Sequence, residues 1–447
     1  MNSVFINLTG LLACAALCSG NDNIPAPAQE GAILFTGATI HPVSSAAFDG
    51  FLLAVKGTIV KLGKKGEEPL SPAGTRVVEL GAKHVYPAMI AANTVLGLTE
   101  IRAVRATRDM IEPGLINANV RAESSVNPDS ELFPVTRSNG VLFALSVPQT
   151  KGLIAGRSAL MCLDGWTWEE MTVKAPVGMH ISWPRLISPG RTRNDEQKKS
   201  MAKPMKDVLN DLRLLEEGFE KSRAYGRAKA AGDKSQKTDL RWEALVPVVL
   251  GQLPAFIHAD RLTDIITAVE FAAQQGIRMV LVGGADAWRA APLLREHGVA
   301  VIVSPVNALP GRRWEDYDTA MRNSAVLHRE GVKFCIAGTG KTMHAPNERN
   351  LPYQAARAAA FGLPKEEALK AVTLYPAQIL GVDDRLGSLE VGKDATFIVT
   401  SGDPLEITTR IEGAYIDGRP VDLSNKQTRL YKKYREKYRQ LKKAAGG

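Results

Sequence analysis

Histidine and cysteine are scarce in this chain, with seven His and four Cys in 447 residues. The seven imidazoles are His41, His84, His180, His258, His297, His328 and His344. None stands in H-x-H or H-x₃-H spacing, so the sequence contains no local metal-binding pair. Cys14 and Cys18 fall in the first twenty residues. Cys162 in "SALMCLDG" and Cys335 in "VKFCIAG" lie in apolar, strand-like runs and read as buried thiols. No G-x-S-x-G is present, which removes support for a serine-hydrolase elbow. No apolar run is long enough for a transmembrane helix. Acidic residues are nearly absent from the end of the chain. Between Lys426 and Lys443 there are nine Lys/Arg and one Glu, a net of +8 out of +9 for the whole chain. The high isoelectric point therefore belongs to a tail, so it does not argue for a nucleic-acid-binding domain.

What is present divides the chain into zones. Val4 to Leu17 is mostly apolar and is followed by Cys18, Ser19 and Gly20, so residues 1–20 read as an export leader, although no Lys or Arg precedes the apolar run. "LLAC" at 11–14 resembles a lipobox, so the alternatives are a cleaved leader and a lipoprotein anchored through Cys14. Either predicts a periplasmic, secreted or membrane-anchored protein. The polar linker "NDNIPAPAQE" follows. "AILFTGATIHPV", "GFLLAVKGTIVKLG" and "TRVVELGAKHVYP" then read as short strands punctuated by Gly and Pro.

From about residue 86, strand-like and helical runs alternate. The clearest unit is 254–305. "PAFIHA" is a strand, and a helix capped by Asp260 or Thr263 and ended by Gly276 comes next. "RMVLVGG", a second helix and "VAVIVSP" complete it. Such a unit builds a parallel sheet. Residues 193–240 are highly charged and read as a surface helical excursion. Residues 383–421 are again strand-like. No internal repeat at solenoid spacing is present.

Several stretches together resemble the amidohydrolase superfamily. "VYPAMIAANTVLGLTEI" (85–101) is similar to its first barrel strand, roughly V-x-P-G-x-I-D-x-H-x-H-x-G. "GATIHPV" (37–43) looks like its opening strand. "LPYQAARAAAFGLPKEEALKAVTLYPAQILGVDDRLGSLEVGKDATFIV" (351–399) looks like its closing segment. The resemblance implies a (β/α)8 barrel over residues 86–384, with the charged insertion 193–240. It also implies a small β-sandwich, an imidazolonepropionase-like composite domain built from 32–85 plus 385–421. The basic tail occupies 422–447.

The family's chemistry uses zinc or a similar divalent ion, held at strand ends, to lower the pKa of a bound water. Here the resemblance places Asn93 and Val95 at the His-x-His positions, His258 at the fifth-strand His, Gly283 at the sixth-strand His and Gly340 at the eighth-strand Asp. Val95 has no donor, and Asn93 offers only a neutral carbonyl oxygen. Lys151 in "PQTKGLIAG" is a candidate for a strand-four Lys. With His258 the one retained of these five positions, it reads as a hydrogen-bonded core residue, and His180 and His344 as residues that would reach the barrel mouth only from loops.

"AGTGKT" (337–342) has the end of a phosphate loop, but its first Gly would fall on Cys335, so a P-loop is set aside. Lys341 remains as a point charge for an anion. Trp166 and Trp168 read as packing residues. Leu430, Tyr434, Tyr438 and Leu441 recur at helical spacing and predict a solvated tail helix docked on the body by a half-apolar face; the alternatives are an anionic surface, membrane headgroups or a partner.

The expectation is an exported, catalytically impaired pseudo-hydrolase with no cofactor. It would bind a small molecule at a mouth formed by Asn93, His258, Thr339 and Lys341, or serve as a scaffold. The alternative is an active hydrolase of carbon–nitrogen (non-peptide) bonds with a non-standard set of zinc or other divalent-metal ligands.

Overall fold

The computed structural model describes residues 21–69, 74–185, 204–233 and 235–444. The expected leader with Cys14, and residues 193–203 of the charged insertion, lie outside them. In chain order the strands are β1 (Ala32–Ile40), β2 (Phe48–Val55), β3 (Thr58–Lys64), β4 (Arg76–Pro87), β5 (Met89–Thr94), β6 (Val141–Ser146), β7 (Ile154–Cys162), β8 (Thr172–Ser182), β9 (Ala255–Ala259), β10 (Met279–Gly283), β11 (Ala300–Val303), β12 (Phe334–Ile336), β13 (Phe397–Thr400), β14 (Ile411–Ile416) and β15 (Arg419–Pro420).

Both ends of the chain share one seven-stranded sheet, in the order β15-β14-β13-β4-β1-β2-β3. β4 is the seam: it pairs parallel with β1 and antiparallel with β13. The N-terminal end supplies four of the sheet's strands and the C-terminal end three. Together they enclose Phe35, Leu52, Val85 and Phe397, with the Phe35 ring edge-on to Phe397 at 5.0 Å and to Tyr415 at 4.7 Å. By hydrogen bonding the expected sandwich is thus one continuous ladder.

The other eight strands run in sequence order, β5 to β12, as a nearly closed barrel. A segment after β12 fills the gap between its edges. Ile336 N–H donates to Ala371 O (2.9 Å) and Ile90 N–H to Val372 O (2.9 Å). The barrel differs from an all-parallel one at β7, which is antiparallel to β6 and β8. The connections flanking β7, residues 147–153 and 163–171, are too short for a crossover helix, which takes about a dozen residues or more. Hairpin geometry is what such lengths allow.

β8 to β11 pair parallel with β9 to β12. The helix Leu262–Gln275 ends at Gly276 in the left-handed conformation (φ 64°), as its sequence predicts. Its start differs from expectation. Neither Asp260 nor Thr263 caps it; Asp286, from the loop after β10, accepts from Leu262 N–H at 3.0 Å. A carboxylate from the next strand's loop thus ties this helix to its neighbour.

The charged insertion contains the helix Met205–Ala230, which is more than a solvated excursion. It buries Val208, Leu215, Phe219 and Tyr225, with Phe219 edge-on to Phe271 at 5.4 Å. The tail helix Lys426–Ala444 is the reverse case, because it buries no residue and so is not docked by an apolar face. Cys162 and Cys335 are buried free thiols. Trp168 packs partly against the barrel core, whereas Trp166 is exposed. Among the described residues no helix is long and apolar enough to cross a membrane.

Candidate functional site

The carboxyl ends of the barrel strands open onto a cavity of about 500 Å³. Asn93, His258, Thr339 and Lys341, the four residues singled out from sequence, all line it, and so do Gly283 and Gly340. Val95 is buried in the barrel core instead. Lys151 is exposed in the loop between β6 and β7 and does not line the cavity.

Asn93 is the last but one residue of β5. Its Nδ2 donates to Gly338 O at 3.1 Å, which pins the amide across the barrel's seam, while its Oδ1 is buried without a hydrogen-bond partner. Gly340 adopts φ +65°, and a Cβ built there would lie 2.6 Å from Asn93 Oδ1. Gly283, with φ +99°, would place a Cβ 2.5 Å from Asp260 Oδ1. At both glycines a neighbour's polar side chain fills the space that a side chain of their own would need.

The fifth-strand His258 has a partner that sequence reasoning missed. His180 Nδ1 lies 2.9 Å from His258 Nε2. His180 stands on β8 itself rather than on a loop, and its ring stacks on Phe256 at 5.0 Å. The register of β8 against β9 sets the pair: His180 is level with Phe256 and Ser182 with His258. The two rings therefore meet diagonally. Burial pushes the His258 imidazole down to about 4. It pushes His180 well below the usual value too, with neighbouring His258 adding to the effect. Two neutral rings can share one proton as donor and acceptor, and His180 Nε2 is left buried without a partner.

Charged groups ring this pair. Burial raises the Asp260 carboxyl, and the nearby Arg185 and Lys341 cations offset part of the rise. Farther out, Arg312 grips both oxygens of Asp286, with one bond at 2.8 Å, and also bonds Glu315. Burial raises Asp286, but the Arg312 bonds outweigh it and hold the carboxyl below its usual range. Gln149 Nε2 donates to Gly340 O, fastening the eighth-strand loop to the one after β6. Beneath the mouth Glu348 is buried and raised to about 8 by desolvation, with the Thr94 hydroxyl pulling the other way. Among the described residues no three His, Cys, Asp or Glu side chains converge as a metal-binding group.

Comparison with known proteins points one way. Residues 266–425 match the profile of the amidohydrolase family. An amidohydrolase of Hapsidospora irregularis, tasK, is 22% identical over 424 residues, covering 86% of this chain and 41% of that protein. The imidazolonepropionase of Mesorhizobium japonicum is 29% identical over 147 residues, covering 33% of this chain and 34% of that one. The chain thus spans less than half the length of these curated relatives. Among solved structures, an amidohydrolase from Thermotoga maritima superposes with a TM-score of 0.75 at 28% identity, covering 87% of this chain and 99% of that one.

Proposed function

The chain belongs to the amidohydrolase superfamily, and from that premise we propose that it is an exported, catalytically impaired member that binds a small polar molecule in the barrel mouth. The observation that supports this best is the mutual filling of Asn93 and Gly340. The position where the resemblance implies a proton-accepting Asp is a glycine, and an amide pinned to Gly338 O occupies its space.

The donor set does not fit a divalent ion. An open catalytic zinc site keeps about three protein ligands and one free position. The first strand offers Asn93 and Val95. The two imidazoles face each other at 2.9 Å, a contact that occupies one ring nitrogen of each, and among the described residues no third His, Cys, Asp or Glu converges with them. Asp260 lies in the field of Arg185 and Lys341 rather than beside a cation site. The same groups suit a small polar molecule: a neutral imidazole pair on the floor, with cations and carboxylates at the rim. The export half of the proposal rests on the apolar run of residues 4–17.

His180 is also the observation that favours the alternative, a hydrolase of carbon–nitrogen (non-peptide) bonds with a non-standard metal set, because it doubles the imidazoles in the cavity. One experiment separates the two. The purified full-length protein is dialysed, analysed for transition metals, and assayed with and without chelator on a panel of amides and cyclic imides. The proposal expects metal well below one ion per chain and hydrolysis at background, unchanged in His258→Ala. One tight ion per chain, with chelator-sensitive hydrolysis lost in His258→Ala, would overturn it. Terminal sequencing of the native protein tests export, with a start after residue 13 or near residue 20 expected and recovery of Met1 counting against it.

A further inference from the structure

The geometry points to the tail helix Lys426–Ala444 as a docking element for a bilayer surface bearing anionic headgroups. Its sequence places Leu430, Tyr431, Tyr434, Tyr438 and Leu441 within one arc of about 100° around the helix axis. All five are exposed, by 42% to 65%, and the helix buries nothing against the body. Lys426 and Lys437 border the arc on one side, Arg435 and Lys442 on the other, and further Lys and Arg cover the back. A helix with an aromatic-aliphatic stripe flanked by cations lies in a headgroup layer. The stripe enters the acyl boundary, the tyrosine hydroxyls stay at the water interface, and the flanking Lys and Arg meet phosphates.

Charge decides against a second copy of the chain. Tyr431, Tyr434, Tyr438 and Leu441 do follow a heptad, but pairing two such helices would face +8 with +8. The single Glu436 is already engaged by Arg439 and Gln440. A nucleic acid would satisfy the cations yet leave Leu430 and Leu441 uncovered. A second, independent observation concerns the other end of the chain. Arg429 pairs with Asp22, and Asn23 Nδ2 donates to Ser424 O at 3.1 Å. The chain therefore reaches the body at the root of this helix. In sequence, Cys14 lies a few residues before Asn21. Stable attachment to a membrane takes two signals.

The test is co-sedimentation of the processed chain, starting near residue 20, with phosphatidylcholine vesicles, with and without phosphatidylglycerol. Neither residues 4–17 nor acylation at Cys14 then contributes to binding. Binding to the anionic vesicles is expected, weaker by about tenfold or more on zwitterionic vesicles or at high salt. The pair Lys437→Glu and Lys442→Glu, and separately the pair Tyr434→Ser and Tyr438→Ser, should each lower binding about tenfold, with an unchanged melting temperature because no substituted residue is buried. Equal binding to both vesicle types would overturn the proposal. So would no binding to either, tail-dependent dimers by sedimentation equilibrium, or retention by nucleic acid in its place.

Discussion

Asn93 and Gly340 share one space: a Cβ at 340 would come within 2.6 Å of Asn93 Oδ1. The amide cannot swing aside cheaply, since it is buried and its Nδ2 holds Gly338 O. Returning an acid to the eighth strand alone should therefore damage the protein. Gly340→Asp is expected to cost about 1–3 kcal/mol through this clash and the left-handed backbone at φ +65°. The melting temperature should fall by several degrees, and Asn93→Ala in the same chain should recover part of the loss. A Gly340→Asp protein that melts like its parent would contradict the account.

The His180–His258 pair makes stability depend on pH, with a definite sign. Folding lowers the pKa of His258 from 6.5 to about 4 and that of His180 in the same direction, so between those values the unfolded chain binds more protons. The contribution is fully present above pH 6.5 and is lost as pH falls toward 4. His258 is partly open to the cavity, which discounts the effect to about 1–3 kcal/mol. Denaturant midpoints measured from pH 7 to pH 4.5 should show a smaller drop for His258→Asn than for the parent. Equal slopes would mean the pair does not stay neutral in the fold.

Much of the fold is legible in residues 254–305, because helix period, Gly276 and short connections all agree there. Strand direction is not, since periodicity reads the same for β7 whichever way it runs; only the short connections 147–153 and 163–171 carry that information. The site is legible only where one residue speaks for itself. Asn93, His258, Thr339 and Lys341 stand at strand ends that the resemblance locates. His180 does not, because its pairing with His258, 78 residues away, depends on the register of two strands. The Asp286 cap and the Asn93–Gly340 fit are likewise three-dimensional complements with no local signal. The tail's stripe is visible in sequence, but whether a face is covered depends on what the body presents to it.

Glu348 pulls stability the other way. Folding raises its carboxyl from 4.5 to about 8, so the folded state binds more protons across that interval. Its cost is absent below pH 4.5 and grows as pH rises toward 8. A buried, neutral carboxyl is an amide's near isostere, so Glu348→Gln should be close to neutral at pH 5 and stabilising by about 2–4 kcal/mol at pH 8. Comparing denaturant midpoints at the two pH values checks this. A variant that is destabilised equally at both would show that the ionised carboxylate has a partner that matters.

Asp164 joins the two parts of the molecule. Its Oδ1 accepts from Arg137 at 2.6 Å and its Oδ2 from Arg419 at 2.9 Å. Arg419 lies on β15 of the composite sheet, and Asp164 follows β7 of the barrel. Arg137 is almost fully buried, and its remaining bonds go to the backbone carbonyls of Leu163 and Asp422. Replacing a surface carboxylate would matter little, but here removal leaves a buried guanidinium without its counter-ion. Asp164→Ala should cost about 3–5 kcal/mol, whereas Arg419→Met, which spares the buried pair, should cost clearly less. The double change Asp164→Leu with Arg137→Met should recover stability relative to Asp164→Ala, because no unpaired charge is then buried. Urea midpoints of the three variants decide the matter, and a double variant no better than Asp164→Ala would show that the geometry of the bonds, not the unpaired charge, holds the sheet to the barrel.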